Sequence, residues 1–409
     1  MDRLLLLLPT RTYRTEAFID AARTLGVDLV CASERPSTLE SLAPDTLMTL
    51  DFADPDGAAA AVAAWSATRP LAAVVGVDDA TTTAAAAIAE RLGLKSNALA
   101  AVTAARDKFQ MRQCLAAAGV PVPRFRRIAI ADDLLLASRR VSFPCVLKPL
   151  ALSASRGVIR VNNADQFMAA FKRIAAILQR DDVTVSGDAA QFLLAEAFVE
   201  GLEVALEGLM VRGTLHTLAL FDKPDPLHGP YFEETLYVTP SRLPAAVQDR
   251  VRAVTAHACG ALGLTDGPVH AELRINDDGP WVIEVAPRSI GGLCSRTLRF
   301  GTGMSLEEII LRHALDWPID TLERERGAAG VMMIPIPRGG RLRSVQGEAD
   351  AAAVRNVEEV AITAHVGQEI VPLPEGWQYL GFIFARADTP QRVEHALRDA
   401  HSRLTFVIA

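Results

Sequence analysis

The spacing of apolar and polar positions changes several times along the chain, and each change predicts an element. Residues 3–8, 27–31 and 71–77 are apolar runs of strand length, and the stretches between them, 15–25, 55–69 and 81–92, predict helices. Pro55 follows Asp54 at a plausible first helical position, and Gly93 stops the third helix. Continuous apolar strands alternating with helices predict a parallel, doubly wound sheet over residues 1–105. Sites in such sheets lie beyond the carboxyl ends of the strands, which singles out residues 9–14 and 76–79 as cleft-facing loops. Plain connecting loops are the default for both. No GxGxxG follows the first strand, so a Rossmann dinucleotide site is excluded.

Beyond residue 105 the pattern shifts. Residues 106–118 predict an amphipathic helix ended by Gly119, and prolines then carry the chain into a second domain. Residues 145–147 are a short buried strand delivering Lys148-Pro149 to a small-residue loop, 151–157, with one glycine. Apolar strands follow over 192–221, then a long polar, proline-rich connection over 222–240, then a helix over 245–263. Residues 269–275 alternate apolar and polar, Asn276-Asp277-Asp278-Gly279 is a turn cluster, and 281–285 returns as a second strand, which makes a hairpin. Ser305 and Glu308 form a capping box for a helix over 305–315. From about 327 onward, short strands and a helix over 389–404 predict a small α/β domain without a catalytic grouping. The expected domains are 1–105, 106–320 with a lid at about 120–190, and 321–409.

Composition narrows the classes. Half of the 409 residues are apolar, and the length suits two to four domains. A net charge of −7 argues against a nucleic-acid surface. The leucines near the N-terminus are too few for a membrane span and suit a buried first strand. Five scattered cysteines without CxxC point away from disulfides and zinc, and towards the cytoplasm.

Chemistry gathers at a few positions. The hairpin carries Glu272 on one strand and Glu284 on the other, so one sheet face can present both. Two carboxylates repel unless a cation lies between them, and oxygen-only ligands suit Mg²⁺ or Mn²⁺ bridging to phosphate. Arg288 follows on the exit loop, where a guanidinium can hold an anion, and Gly291-Gly292 lets backbone approach a ligand. Lys148 at the end of an apolar strand can hold phosphate while loop N–H groups cradle it. Residues 196–199 suit an extended hinge whose backbone reads an adenine edge, with Glu203 placed for ribose hydroxyls. In the 222–240 connection, His228, Glu233, Glu234 and Tyr237 are candidates for contacting substrate. Each of these alone is more ordinarily a solvated side chain.

Together they resemble a family. RDK, LKP with its SxSRG loop, ExFxxGxE, HxExR and IExxPRxxGG, in this order over about residues 95–315, resemble the ATP-grasp superfamily and its amino-acid ligase and biotin-carboxylase-like branch. The resemblance implies an α/β ATP-grasp fold between an N-terminal doubly wound domain and a small C-terminal α/β domain. It implies ATP and Mg²⁺ (or Mn²⁺) as cofactors. Lys108 and Lys148 match the phosphate-contacting lysines, Ser153, Ser155 and Gly157 the phosphate loop, Glu196, Ala197 and Val199 the adenine hinge, and Glu203 the ribose ligand. Glu272 and Glu284 match the metal ligands, Arg288 the arginine at the acyl phosphate, and Glu234 a residue of the amino-substrate pocket. Two departures stand out: Ala286 replaces a usual Asn, removing one oxygen ligand, and Tyr237 replaces a frequent His. The implied activity is ATP-dependent amide formation between small-molecule, amino-acid-like substrates through an acyl phosphate, by a homodimer with no nucleic-acid or membrane partner. Alternatives are a purine-biosynthesis ligase, a bicarbonate-using carboxylase-like enzyme, and a non-catalytic ATP-binding regulator.

Overall fold

A computed structural model describes residues 2–183 and 187–409. The N-terminal strands Leu47–Thr49, Asp28–Ser33, Arg3–Leu7 and Ala73–Gly76 lie in that order in one parallel sheet. Leu4 to Leu7 are fully buried because helices cover the sheet's faces. Burying each leucine stabilises the fold by about 1.5–3 kcal/mol. The three helices lie where the sequence predicts, the second ending earlier, at Ser66, and the third starting earlier, at Asp79. Gly26 and Gly93 terminate Thr15–Leu25 and Asp79–Leu92 in left-handed conformation, and Asp54 caps Pro55–Ser66 through the Gly57 N–H. The short strand Leu47–Thr49 carries no periodic signal and escapes sequence reasoning.

The helix expected over 106–118 is Lys108–Ala117, and a separate helix, Leu99–Arg106, precedes it. Asp107 breaks the run, because its carboxylate accepts from the N–H groups of Phe109 and Gln110 and starts a new helix. Four antiparallel strands, ordered Phe125–Ala129, Phe192–Ala197, Cys145–Pro149 and Ile159–Val161, then form a small sheet backed by the helix Ala164–Leu178.

The central sheet has eight antiparallel strands, ordered Gly279–Ala286, Gly267–Asn276, Leu202–Val211, Thr214–Lys223, Leu236–Thr239, Ala328–Ile334, Gly381–Ala387 and Val357–Ile362. One expectation is corrected here. The connection predicted over 222–240 is shorter, because Lys223 ends one strand and Leu236–Thr239 pairs as another. In the C-terminal region, Ala328–Ile334 pairs with Leu236–Thr239 and continues the central sheet, while Glu369–Ile370, Gly340–Gln346 and Thr405–Ile408 form a sheet of their own. Apolar packing joins the parts further, since Leu4, Leu6 and Val75 share a core with Ile309 and Ile310 of the helix Leu306–Ala314 and with Phe221 and Phe384. The Ser305–Glu308 capping box that starts this helix is present as predicted.

Candidate active site

A cleft of about 1180 Å³ opens where the three parts meet. One wall holds buried cations. Lys148 leaves the strand Cys145–Pro149 and meets Glu196 at 2.6 Å, and Glu196 also accepts from Arg112 Nε at 2.5 Å. Arg112, fully buried, reaches on to the Ile283 carbonyl in the hairpin, so it ties the small sheet to the central one. Burial lowers the Lys148 ammonium's pKa and Glu196 pulls it back up, leaving it lowered. The Glu196 side chain is therefore a buried counterion rather than a free hinge group. Lys108, set at the first turn by the Asp107 cap, donates to the Leu152 carbonyl at 2.9 Å and pairs with Glu284 at 3.2 Å.

The opposite wall is the hairpin. Glu272 and Glu284 are register partners, so they share a face as the alternation predicts, with a bulge directly after Glu272. Glu272 joins Glu203 and Glu234 around the ammonium of Lys223, at 3.1 Å from Glu272 and 2.9 Å from Glu203. Glu203 also pairs with Arg274 at 2.8 Å, so both its oxygens are engaged. Lys223 escapes sequence reasoning because it reads as the second residue of the 222–240 connection; it ends a buried strand instead. Burial raises the Glu234 carboxyl, and Lys223 only partly offsets this, leaving it at about 7. His270 lies between the fully buried Glu207, at 3.1 Å, and Glu272, at 3.6 Å. Both Glu207 oxygens take the Ile290 N–H, which fixes the loop after Arg288.

Arg288 is held from the N-terminal sheet. Its guanidinium pairs with Asp79 at 3.0 Å and donates to the Ser289 carbonyl at 2.9 Å. Burial would raise the Asp79 carboxyl, but Arg288, Arg106 and Lys108 outweigh it and hold the pKa at about 2. Arg14, also buried, clamps the same junction by donating to the Val77 carbonyl at 2.9 Å and to Ser289 Oγ at 2.6 Å. Both residues lie in the segments that sequence singled out as facing a cleft, although plain loops were the default there.

The remaining predicted residues divide. Ser153 and Ser155 line the cleft, in a turn where Ala154 and Ser155 take φ of 53° and 54°. Gly157 lies outside the lining: a Cβ there would stand 2.8 Å from the Pro149 ring, so the glycine serves a close approach rather than phosphate contact. Ala197 and Val199 line the cleft, but the Ala197 N–H donates to the Arg124 carbonyl and the Val199 carbonyl accepts from Arg274. Glu234, Tyr237, Gly291 and Gly292 also line it. His228 does not. It is exposed, and its carbonyl accepts from Arg160, so the expected substrate contact is corrected. Glu233 is likewise absent from the lining; it accepts the Ile336 N–H. The C-terminal region, expected to bring no functional grouping, supplies Met333, Trp377 and Tyr379 to the wall.

The donor set suits the implied cofactors. Glu272 and Glu284 offer oxygens alone, on one face, with Glu284 paired to Lys108 and Glu272 sharing Lys223 with Glu203 and Glu234. Ala286 is buried and adds no oxygen.

Comparison with known proteins places these parts. The ATP-grasp N-terminal domain model matches residues 19–95, the ATP-grasp domain model 141–297, and the L-amino acid ligase C-terminal domain 2 model 332–409. An alanine–anticapsin ligase of Bacillus subtilis is 27% identical over 235 residues, 54% of this chain and 49% of that protein. A D-alanine–D-alanine ligase of Aromatoleum aromaticum is 30% identical over 184 residues, 44% of this chain and 55% of that protein. The chain thus spans about half the length of these curated relatives. The crystal structure of an L-amino acid ligase from Bacillus licheniformis superposes over 100% of this chain and 99% of that one, with a TM-score of 0.85 and 25% identity. No helix among the described residues is long and apolar enough to cross a membrane.

Proposed function

The chain belongs to the ATP-grasp superfamily, and on that premise we propose that it is an ATP-dependent carboxylate–amine ligase joining amino-acid-like substrates. One observation carries the proposal: buried lysines, a carboxylate hairpin and a fixed guanidinium face one another across a single cleft. Lys108 and Lys148 hold the phosphate chain of ATP, and Ser153 and Ser155 cover it. Glu272 and Glu284 would hold Mg²⁺, which when bound neutralises phosphate charge. Arg288, already oriented by Asp79 and the Ser289 carbonyl, holds the oxyanion of the activated carboxylate. The carboxylate attacks the γ-phosphorus, ADP leaves, and an amine then displaces phosphate from the acyl carbon.

A side-chain nucleophile is not required, and burial pushes the Cys294 thiol, which lines the cleft, far above its ordinary value. Homodimeric assembly is part of the same proposal. The test is ADP release with ATP and Mg²⁺ against pairs of amino acids and, separately, against bicarbonate, with the product weighed by mass spectrometry. Amide matching ADP is expected. Turnover with bicarbonate alone would assign the cleft to a different acceptor.

A further inference from the structure

Residues 371–380 of the C-terminal region are tied to both other parts of the molecule. The Pro374 carbonyl accepts from the Gly157 N–H at 2.9 Å, at the end of the phosphate loop. Glu375 takes a two-pronged pair with Arg173 of the helix Ala164–Leu178, at 2.5 and 2.8 Å. The Tyr379 N–H donates to the Tyr13 hydroxyl at 3.4 Å, on the N-terminal side. Trp377 and Tyr379, within the strap so fastened, face the cleft.

Tyr379 belongs to an apolar wall, and Trp377 lines the same cleft. Tyr13 and Tyr379 both pack edge-on against Phe382, with ring centroids at 5.2 and 5.8 Å. Cys294 Sγ lies 3.7 Å from Met333 Sδ, and Tyr237 is buried beside them. Aromatic rings and thioethers present broad, adaptable apolar surface. A wall of Tyr13, Tyr237, Cys294, Met333, Trp377 and Tyr379 offers a small or charged side chain little to bind.

The polar edge of this wall fixes what else the occupant carries. Glu203, Glu234 and Glu272 share the Lys223 ammonium, but Glu203 is also held by Arg274 and Glu272 lies 3.6 Å from His270, so Glu234 is the carboxylate with the fewest partners and the one open to a ligand ammonium. Arg288 lines the same cleft and offers a guanidinium to a carboxylate.

Building on the ligase reading, we propose that this wall is the side-chain subsite of the carboxylate substrate, an α-amino acid with a bulky apolar side chain. Its ammonium faces Glu234 and its carboxylate faces Arg288. The strap carrying Trp377 and Tyr379 is then a specificity element contributed by the C-terminal region.

Hydroxylamine tests this without knowledge of the amine substrate. It attacks the acyl carbon of the activated donor, phosphate leaves, and a hydroxamate forms. With ATP and Mg²⁺, kcat/KM for L-leucine, L-methionine or L-phenylalanine should exceed that for L-alanine by at least about tenfold, since single methylenes discriminate by such factors. Trp377→Ala and Met333→Ala should shrink that ratio mainly through KM, and Trp377→Phe should largely keep it. Fluorescence supplies a second readout, as the difference between wild type and Trp377→Phe during titration with L-phenylalanine or L-alanine in the presence of ADP. Preference for alanine, aspartate or lysine, or selectivity that appears only in the amine partner, overturns the subsite. So does failure of L-phenylalanine to change the Trp377 signal. Saturable binding of L-phenylalanine with no hydroxamate from any amino acid leaves the subsite standing and removes the ligase reading instead.

Discussion

Asp79→Asn tests whether the N-terminal sheet orients the arginine of the cleft. Asp79 meets Arg288 at 3.0 Å, and its carboxyl sits at about 2 rather than 3.8 despite burial. A depression of nearly two units, at about 1.36 kcal/mol per unit, corresponds to about 2–3 kcal/mol in favour of the ionised carboxylate. Arg288 makes the largest attractive contribution, followed by Arg106 and Lys108. Asparagine keeps the shape and one acceptor oxygen but removes the charge. Asp78 and Glu284 remain near Arg288, so the guanidinium keeps anionic neighbours, and unfolding should change less than turnover. If the pair secures the orientation of Arg288, kcat falls about 10- to 100-fold at a factor of ten per 1.36 kcal/mol. Asp79→Ala, which also loses the hydrogen bond, should fall further. The assay is steady-state ADP release with the best amino-acid donor, alongside thermal melting. A kcat within about threefold of wild type in both variants, or a loss confined to KM for ATP, would refute the reasoning.

Lys148→Ala should remove about 2–4 kcal/mol of transition-state stabilisation, and Glu196 keeps Arg112 as its partner, so the fold persists; turnover within about threefold of wild type would end the phosphate role. Glu272→Gln and Glu284→Gln should each raise the Mg²⁺ concentration for half-maximal rate, and Ala286→Asn should lower it. Unchanged metal dependence in both Gln variants would make the hairpin purely structural. His313 tests the hairpin's footing: burial, then Lys95, lower its pKa from 6.5 to about 4, and its neutral Nε2 accepts the Gly267 N–H at 3.0 Å. A folded value below the unfolded one means the unfolded chain takes up the proton first. Stability is therefore full above about pH 6.5 and falls as pH drops towards 4, by at most about 3 kcal/mol. Urea unfolding at pH 7, 5.5 and 4 should show this slope, and His313→Gln, whose amide oxygen can accept the same bond, should flatten it.

The sequence carried local rules well. The caps at Asp54, Gly93 and Ser305, the buried first strand and the hairpin of Glu272 and Glu284 all follow from spacing, because each depends on residues within a turn or a strand of one another. What stayed hidden depends on long-range pairing. Nothing near Lys223 announces three carboxylates brought in from other positions in the chain, and nothing near Asp79 announces Arg288, 209 residues away. Counterions of this kind have no periodicity, so burial must be known first. His228 and Gly157 failed for the opposite reason. Loop context singles out His228 and the resemblance singles out Gly157, yet one faces solvent and the other accommodates a proline ring. The C-terminal strands were legible as strands, but their joining of the central sheet, and with it Trp377 and Tyr379 in the wall, was not.

The order of groups along the cleft makes a specific statement about which phosphorus is attacked. In the proposed reading, residues 196–199 and Glu203 hold one end of ATP, the lysines and serine loop cover the phosphate chain, and Arg288 stands beyond the hairpin, which would put the γ-phosphoryl nearest the carboxylate. The most direct measurement uses a donor amino acid carrying heavy oxygen in its carboxylate, with the products analysed by mass spectrometry. One labelled oxygen per turnover in inorganic phosphate, with ADP equal to amide formed, is the predicted result. Label in AMP, with pyrophosphate released, would contradict the acyl-phosphate route and the roles assigned to Lys148 and Arg288.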